Sequence, residues 1–404
     1  MTSCWGKQLD AAVDERFEEL VALRRHLHAH PEVSGEERET SLHLYQLLTD
    51  HGFEVRMGPD GRGIVVDSHS PWPDAGIIAL RADLDALRIR DAKEVAYRSC
   101  HDGVMHACGH DGHTAVVFGA LLALKQLQIT GDLPCELRYR GIFQPAEETC
   151  EGAQEMIEVG ALEGVSAILA VHMDPSRRLG TIGLRAGVLT ANCDEMRITL
   201  SGHGGHAARP HETSDPIAAA AQLINALYLY IPRVTDSQDA VVITIGQITG
   251  GENANVIPEE VLLRGTIRSL DRSVRRQTME HVTRLARGIA QMTDTSIEVH
   301  FGLSSDSVDN DPRLIDTFRQ ACYEVVGADG IQDIPKASMG SEDFAFYLQH
   351  VPGAMARLGC QSDSCGGSPL HTPTFDIDEQ ALQIGAKVMA RAAVHRALDE
   401  PVEA

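Results

Sequence analysis

Met105-His-Ala-Cys-Gly-His-Asp-Gly-His113 packs three histidines, one cysteine and one aspartate into nine residues. Cys108 and His110 are two apart, so on an extended backbone they point to one side. A thiolate and an imidazole that converge are the beginning of a transition-metal site. The apolar run that follows, from Thr114 to Leu124, reads as a buried helix, with His113 at its start. The cluster therefore sits on a loop that feeds a helix N-terminus, and other parts of the chain must bring the remaining ligands, a base and a pocket.

Three further stretches offer those groups. Ala75-Gly-Ile-Ile-Ala-Leu-Arg81 reads as a short strand that leads to Asp83 and Asp85. Carboxylates at the C-terminal end of a buried strand occupy an α/β active-site position, although a charged strand exit looks the same in sequence. Cys135 to Phe143 reads as a strand running into Gln144-Pro-Ala-Glu-Glu148. Adjacent carboxylates point different ways, so one can ligate a metal while the other serves as general base. Ser166 to Val171 is an apolar strand ending in His172. Near the C-terminus, Leu370-His371 adds another imidazole. A mixed S, N and O set gathered from several elements is unlike a local, Cys-rich structural zinc site, and it suffices for two ions with an activated water.

The elements that must hold these groups follow from periodicity. Residues 10 to 30 and 36 to 51 carry apolar positions at helical spacing, and strands are expected near 63–67 and 75–81. From about residue 188 the pattern changes to strand (195–200), helix (215–230, with Pro216 near its start), strand (240–248), strand (261–268), helix (272–293) and strand (296–300). This β-α-β-β-α-β order is a ferredoxin-like unit, expected as an insertion spanning 188–298. Residues 1–187 and 299–404 form the discontinuous catalytic domain. A chain of 404 residues is too long for one ordinary core.

The net charge of −23 argues against nucleic acid or an anionic membrane surface as partner. The N-terminus shows no signal-peptide pattern and no uninterrupted apolar run approaches a membrane span, so a cytoplasmic location is expected. The nine cysteines are scattered and read mostly as free thiols; Cys360 and Cys365 could pair, bind metal or do neither.

Taken together, these motifs resemble the M20 metallopeptidase family, in its amidohydrolase branch of hippurate hydrolases, N-acyl-amino-acid amidohydrolases and auxin-conjugate hydrolases. The likeness is carried by Arg25-His-Leu-His-Ala-His-Pro-Glu32, Arg81-Ala-Asp-Leu-Asp-Ala-Leu87, the 105–113 cluster, Gln144 to Glu148, Gly204-Gly-His-Ala-Ala208 with Asp215-Pro216, Asn255-Val-Ile-Pro258, Gly340-Ser-Glu-Asp-Phe344 and Leu370-His371. The resemblance implies a zinc-peptidase-like mixed-sheet catalytic domain with an inserted ferredoxin-like lid and dimerisation domain. It implies two divalent metal ions per subunit (Zn, Mn, Co or Ni), held by Cys108, His110, Glu148, His172 and His371, with Cys108 bridging. It assigns Glu147 as general base and acid, Asp85 as a group orienting a ligand, and His206 as the oxyanion donor, often acting in the neighbouring subunit's site. Asn255, Arg268, Met339 and Gly340 fall at candidate substrate positions. The expected activity is hydrolysis of N-acyl amino acids or similar conjugates, with a dipeptidase or an aromatic amino-group deaminase as the alternative, in a homodimer or dimer-based oligomer formed through the lid. Arg88, Cys150, Glu195, His203 and the Cys360–Cys365 loop depart from the family pattern and bear on specificity.

Overall fold

The computed structural model describes residues 4–69, 72 and 75–399. The chain forms two compact units: residues 1–187, 309–336 and 343–404 make the first, and residues 188–308 with 337–342 the second.

The first unit is built on an eight-stranded mixed sheet. Its order is Glu54–Met57, Ile64–Asp67, Arg138–Gln144, Ile77–Asp83, Val165–Arg178, Gly353–Gln361, Ile182–Leu184, Ile331–Asp333. Four central neighbours, from Arg138–Gln144 to Gly353–Gln361, run parallel. Their apolar runs are buried on both faces, as covered parallel strands require; all seven residues of Ile77–Asp83 are buried. The helix His110–Thr130 packs against Phe17–Ala29, Cys4–Asp14 and Gln380–Asp399. A Cβ on Gly119 would lie 2.7 Å from Leu20 Cδ2 and 3.1 Å from Ala386 Cβ, so glycine is what lets these helices cross closely.

Parallel strands put their C-terminal ends on one edge, which is how residues distant in sequence are collected. The strand carrying His172 continues to Arg178 rather than ending at Val171. His172 is nonetheless level with the ends of Ile77–Asp83 and Arg138–Gln144, because Arg81 is in register with Ala170 and Asp83 with Gln144; on its other side His172 pairs with Arg357, and both strands of that pair run on.

In the second unit, antiparallel strands are ordered Val241–Thr249, Glu260–Ser269, Asn192–Ser201, Ser296–Ser305. With the helices Pro216–Val234 and Arg272–Thr293, this is the ferredoxin-like arrangement. Asp215 caps the first helix through Ile217 N–H (2.9 Å) and Ala218 N–H (3.2 Å). Met196, Ile198 and Leu200 alternate inward against Leu223 and Leu227 of one helix and Val282 of the other. The helix Pro216–Val234 is long and apolar enough to cross a membrane by length and composition alone, but it buries Leu223 and Leu227 in this core as an amphipathic element.

Several expectations are corrected. The single helix over 10–30 is two, Cys4–Asp14 and Phe17–Ala29, broken at Arg16, and both bury into one core, the first through Leu9 and Val13 and the second through Leu20 and Leu27. The last strand of the second unit runs past the expected boundary at 298 to Ser305, through an irregularity in its pairing, and residues 337–342 also group with that unit. The metal-cluster helix begins at His110, not His113. Cys360 and Cys365 are both free thiols, in line with the reading of the cysteines as mostly unpaired.

Candidate metal centre

Cys108 and His110 converge, though not on an extended backbone. Gly109 between them takes a left-handed conformation (φ 91°), turning the chain into the helix whose first residue is His110. Left-handed backbone costs glycine little, and here a Cβ would also press on Met173 at 3.0 Å.

Five side chains of the first unit form two ligand sets that share only Cys108: Cys108, His110 and His172 make one, and Cys108, Glu148 and His371 the other. Cys108 Sγ lies 3.6 Å from His172 Nε2 and 3.3 Å from His371 Nε2. Glu148 Oε1 lies 3.3 Å from His371 Nε2 and 4.0 Å from His110 Nε2.

The hydrogen bonds behind these atoms aim them. His110 Nδ1 donates to Asp85 O (2.9 Å) and Oδ1 (3.1 Å), turning Nε2 inward. Asp85 Oδ2 accepts from Ser34 Oγ (2.7 Å) and Glu148 N–H (2.9 Å). Asp85 thus sets one imidazole and the backbone of one carboxylate at once, and its own carboxyl stays below the usual range because, against burial, His110, Ser34 and Glu148 N–H stabilise the ion. His172 Nδ1 lies 2.7 Å from Met173 O, while Met173 N–H donates to His113 Nε2 (2.8 Å) and His113 Nδ1 meets Asp83 Oδ1 at 2.6 Å. Asp83, His110 and His113 could also be read as a cation site. Both nitrogens of His113 are committed, so this trio acts as a brace behind the ligands.

The residues fit divalent ions. His110 Nε2 and Glu148 Oε1 are buried and make no hydrogen bond, which is costly for polar atoms unless a cation meets them. Thiolate, imidazole and carboxylate suit zinc and its neighbours in the first transition row. Burial, helped by Glu148 and Glu147, pushes the Cys108 thiol well above its ordinary value. Burial works against a charged His110, yet Asp83 and the coupled Cys108 raise it well above the histidine value. The site is held ready for positive charge.

Backbone strain concentrates at the same place. Of five non-glycine residues with positive φ among the described residues, Ala146 (50°) and Cys150 (56°) flank Glu147 and Glu148, and His371 (60°) is a ligand candidate itself. Such conformations cost about 1–3 kcal/mol each and persist where surrounding contacts enforce them. Glu147 is nearly buried; its Oε1 accepts from Asp343 N–H (3.3 Å) and its Oε2 lies 4.0 Å from His110 Nε2. Asp343 is in turn held by Arg81 (2.9 Å) and Gln144 (2.6 Å).

His206, Asn255, Arg268, Met339 and Gly340 all belong to the second unit. His206 and Asn255 are exposed neighbours there: His206 pairs with Val256, and Ala207 N–H donates to Asn255 O (3.1 Å). Ala208 N–H donates to His206 Nδ1 (3.0 Å), which leaves the neutral ring's proton on Nε2. Arg268 Nη1 donates to Met339 O (2.8 Å), and Gly340 O accepts from Ala191 N–H (2.9 Å). Of the residues that depart from the family pattern, Arg88 pairs with Glu36 at 3.2 Å and Glu195 with Arg264, both in exposed positions.

Sequence reasoning missed Ser34 and Glu37, which buttress Asp85 and Ala146, and Arg24, whose Nε donates to Asp111 (2.9 Å) beside His28 Nδ1 (2.7 Å). Ser34 and Glu37 lie just beyond Glu32, where the recognised motif ends. His106 is buried, and burial lowers it to about 4, so it stays neutral.

The family model described as Peptidase family M20/M25/M40 matches residues 79–395. N-acetyl-L-cysteine deacetylase of Bacillus subtilis is 37% identical over 388 residues, covering 95% of this chain and 89% of its own. A crystal structure of the Bacillus subtilis YXEP protein, described as a dinuclear metal binding peptidase, is 33% identical with a TM-score of 0.80, covering 94% of this chain and 98% of its own. A Staphylococcus aureus structure reaches a TM-score of 0.88 at 29% identity, covering 96% and 99%.

Proposed function

The chain belongs to peptidase family M20/M25/M40 and hydrolyses amide C–N bonds with the help of metal, and from that premise we propose that its substrates are N-acyl amino acids. The observation that carries the site assignment is the pair of ligand sets that both contain Cys108. Cys108, His110, Glu148, His172 and His371 would hold the divalent ions, with Cys108 the residue common to both ligand sets. The substrate class rests on the N-acetyl-L-cysteine deacetylase relative, whose name specifies an acyl amino acid.

Bound ions supply Lewis acidity, polarising the amide carbonyl and lowering the pKa of a coordinated water from 15.7 to about 7. Glu147, fixed by Asp343 N–H, takes a proton from the attacking water and returns it to the departing nitrogen. His206 Nε2–H donates to the oxygen of the tetrahedral species. Asn255 and Arg268, with the Met339–Gly340 backbone, hold the substrate's carboxylate; Arg268 must exchange its bond to Met339 O to do so.

The second unit is the proposed dimer contact. Its helix Pro216–Val234 exposes Tyr228 and Leu229, the latter 73% accessible, and its edge strand Val241–Thr249 exposes Val242 and Ile248. An uncovered apolar helix face beside an open sheet edge is a surface suited to a second copy. The native metal is expected among Zn, Mn, Co and Ni, in a cytoplasmic enzyme.

The deciding experiment assays metal-reconstituted protein against N-acetyl, N-benzoyl, long-chain acyl and indoleacetyl amino acids, with dipeptides alongside. Turnover of dipeptides and none of the acyl amino acids would overturn the substrate assignment.

A further inference from the structure

The motif Arg25 to Glu32 contains histidines that the catalytic reading leaves unused. His26 lies on the helix Phe17–Ala29, and His30, four residues on, is its C-cap. Residues at this spacing share one helix face, and their ring centroids are 4.8 Å apart. His43, from the helix Arg38–Asp50, stacks on His26 with centroids 4.0 Å apart and planes 23° from parallel. His101 approaches His30 at 6.3 Å. These four rings, with Glu32 and Glu39, line a cleft of about 410 Å³.

The cleft's donors are distinct from the five assigned to the catalytic ions. The Glu32 carboxylate is committed: it accepts Thr40 N–H (2.7 Å) and Glu39 N–H (3.3 Å) at the start of the second helix. The imidazoles are the available ligands. His101 Nδ1 donates to Pro31 O at 2.8 Å, which leaves its Nε2 lone pair for another partner. His26, His30 and His101 are exposed, and the broad χ2 torsion of histidine lets their rings turn toward one point, His26 leaving its stack on His43 to do so. His43, half-buried and stacked, is the fixed member.

We propose that this cleft is a second metal site, binding one divalent transition-metal ion of the Zn, Ni or Cu class through His26, His30 and His43, with His101 as a further ligand. Several imidazoles without thiolate select these ions over Mg or Ca. The position gives occupancy a consequence. His30 and His43 bracket residues 31–42, the segment from which Ser34 reaches Asp85 and Glu37 reaches Ala146. An ion joining the two helices would tie together both ends of the segment that buttresses the catalytic loop.

The test uses holoenzyme with its catalytic ions loaded and excess metal removed. Cu2+ is titrated into wild type and into the variant His26→Gln/His43→Gln, with bound copper measured by calorimetry and by electron paramagnetic resonance. Wild type should take up one more ion per chain than the variant, with a spectrum showing coupling to several imidazole nitrogens. Retention of the catalytic ions and of basal activity confirms that the variant is folded. The milder variant His30→Gln, at an exposed position, should keep the site but weaken it by about tenfold, equivalent to about 1.4 kcal/mol. Equal copper uptake by wild type and double variant, or a spectrum without imidazole coupling, would overturn the proposal.

Discussion

Ala146 N–H donates to Glu37 Oε1 at 2.8 Å, a buried bond between residues 109 apart in sequence. The same oxygen accepts Gly35 N–H at 3.0 Å. Ala146 carries a positive φ, so this bond helps hold the strained turn that presents Glu147 and Glu148. Glu37→Ala should strand two N–H groups, at about 1–3 kcal/mol for each that stays buried, and lower kcat. Glu37→Gln keeps the acceptor and should retain most activity; equal damage in both variants would show that the acceptor is not what matters.

Glu37 also sets a pH dependence of stability. Burial pushes its carboxyl from 4.5 up to about 7. Below pH 4.5 it is protonated folded and unfolded alike. Between 4.5 and 7 the unfolded chain ionises while the folded chain holds its proton, so stability falls as pH rises through that window. The difference reaches about 3 kcal/mol. Thermal melts across this range should show a shallower decline for Glu37→Gln than for wild type, and superimposable profiles would contradict the assignment.

Glu147→Gln removes the proposed proton carrier without removing a ligand. The expected result is a fall in kcat of about 10²- to 10⁴-fold with both ions retained. Full metal content with near wild-type turnover would assign the base elsewhere.

The sequence shows the family and suggests the site inventory because both rest on residue type. Cys108, His110, Glu147, Glu148, His172 and His371 all lie in motifs whose chemistry is legible without coordinates. What it could not show is three-dimensional bookkeeping. The strand bearing His172 runs on six residues to Arg178, still paired there with Gln361, so His172 does not stand at a strand end, and only register reveals that it is level with Asp83. Glu37 supports Ala146 through a long-range bond that leaves no periodic trace. The break at Arg16 has no proline or glycine to announce it, and both helices bury into the same core through Leu9 and Leu20.

Metal loading should release protons. Burial holds the Cys108 thiol well above its ordinary pKa, and a bridging ligand must be the thiolate. Affinity should therefore rise with pH. Calorimetry of metal-depleted protein in buffers of different ionisation enthalpy should report at least one proton released per chain; no release would argue that the thiol is not a ligand. Chelation should abolish activity, and reloading should restore it.

His113 tests the brace behind His172. His113→Ala removes the acceptor for Met173 N–H and the partner of Asp83, loosening the backbone that orients the His172 ring. Loss of such an outer partner typically weakens metal affinity about 10- to 100-fold. Unchanged affinity would mean that His172 is held by the strand alone.

His206 separates a transition-state role from a metal role. Its Nδ1 accepts from Ala208 N–H, so the ring offers Nε2–H as a donor. His206→Ala should lower kcat by about 10²- to 10³-fold, the usual cost of one oxyanion donor, with KM little changed. Metal occupancy should be intact, because His206 lies in the second unit and the five proposed ligands in the first. If the donor acts in the neighbouring subunit's site, inactive Glu147→Gln and His206→Ala proteins, mixed under conditions of proven subunit exchange, should regain activity. A hybrid dimer then holds one site with both groups native and one with neither, so complete exchange should give about a quarter of wild-type turnover: half the dimers are hybrids and each has one working site of two. Exchange without recovery would place His206 in the site of its own chain.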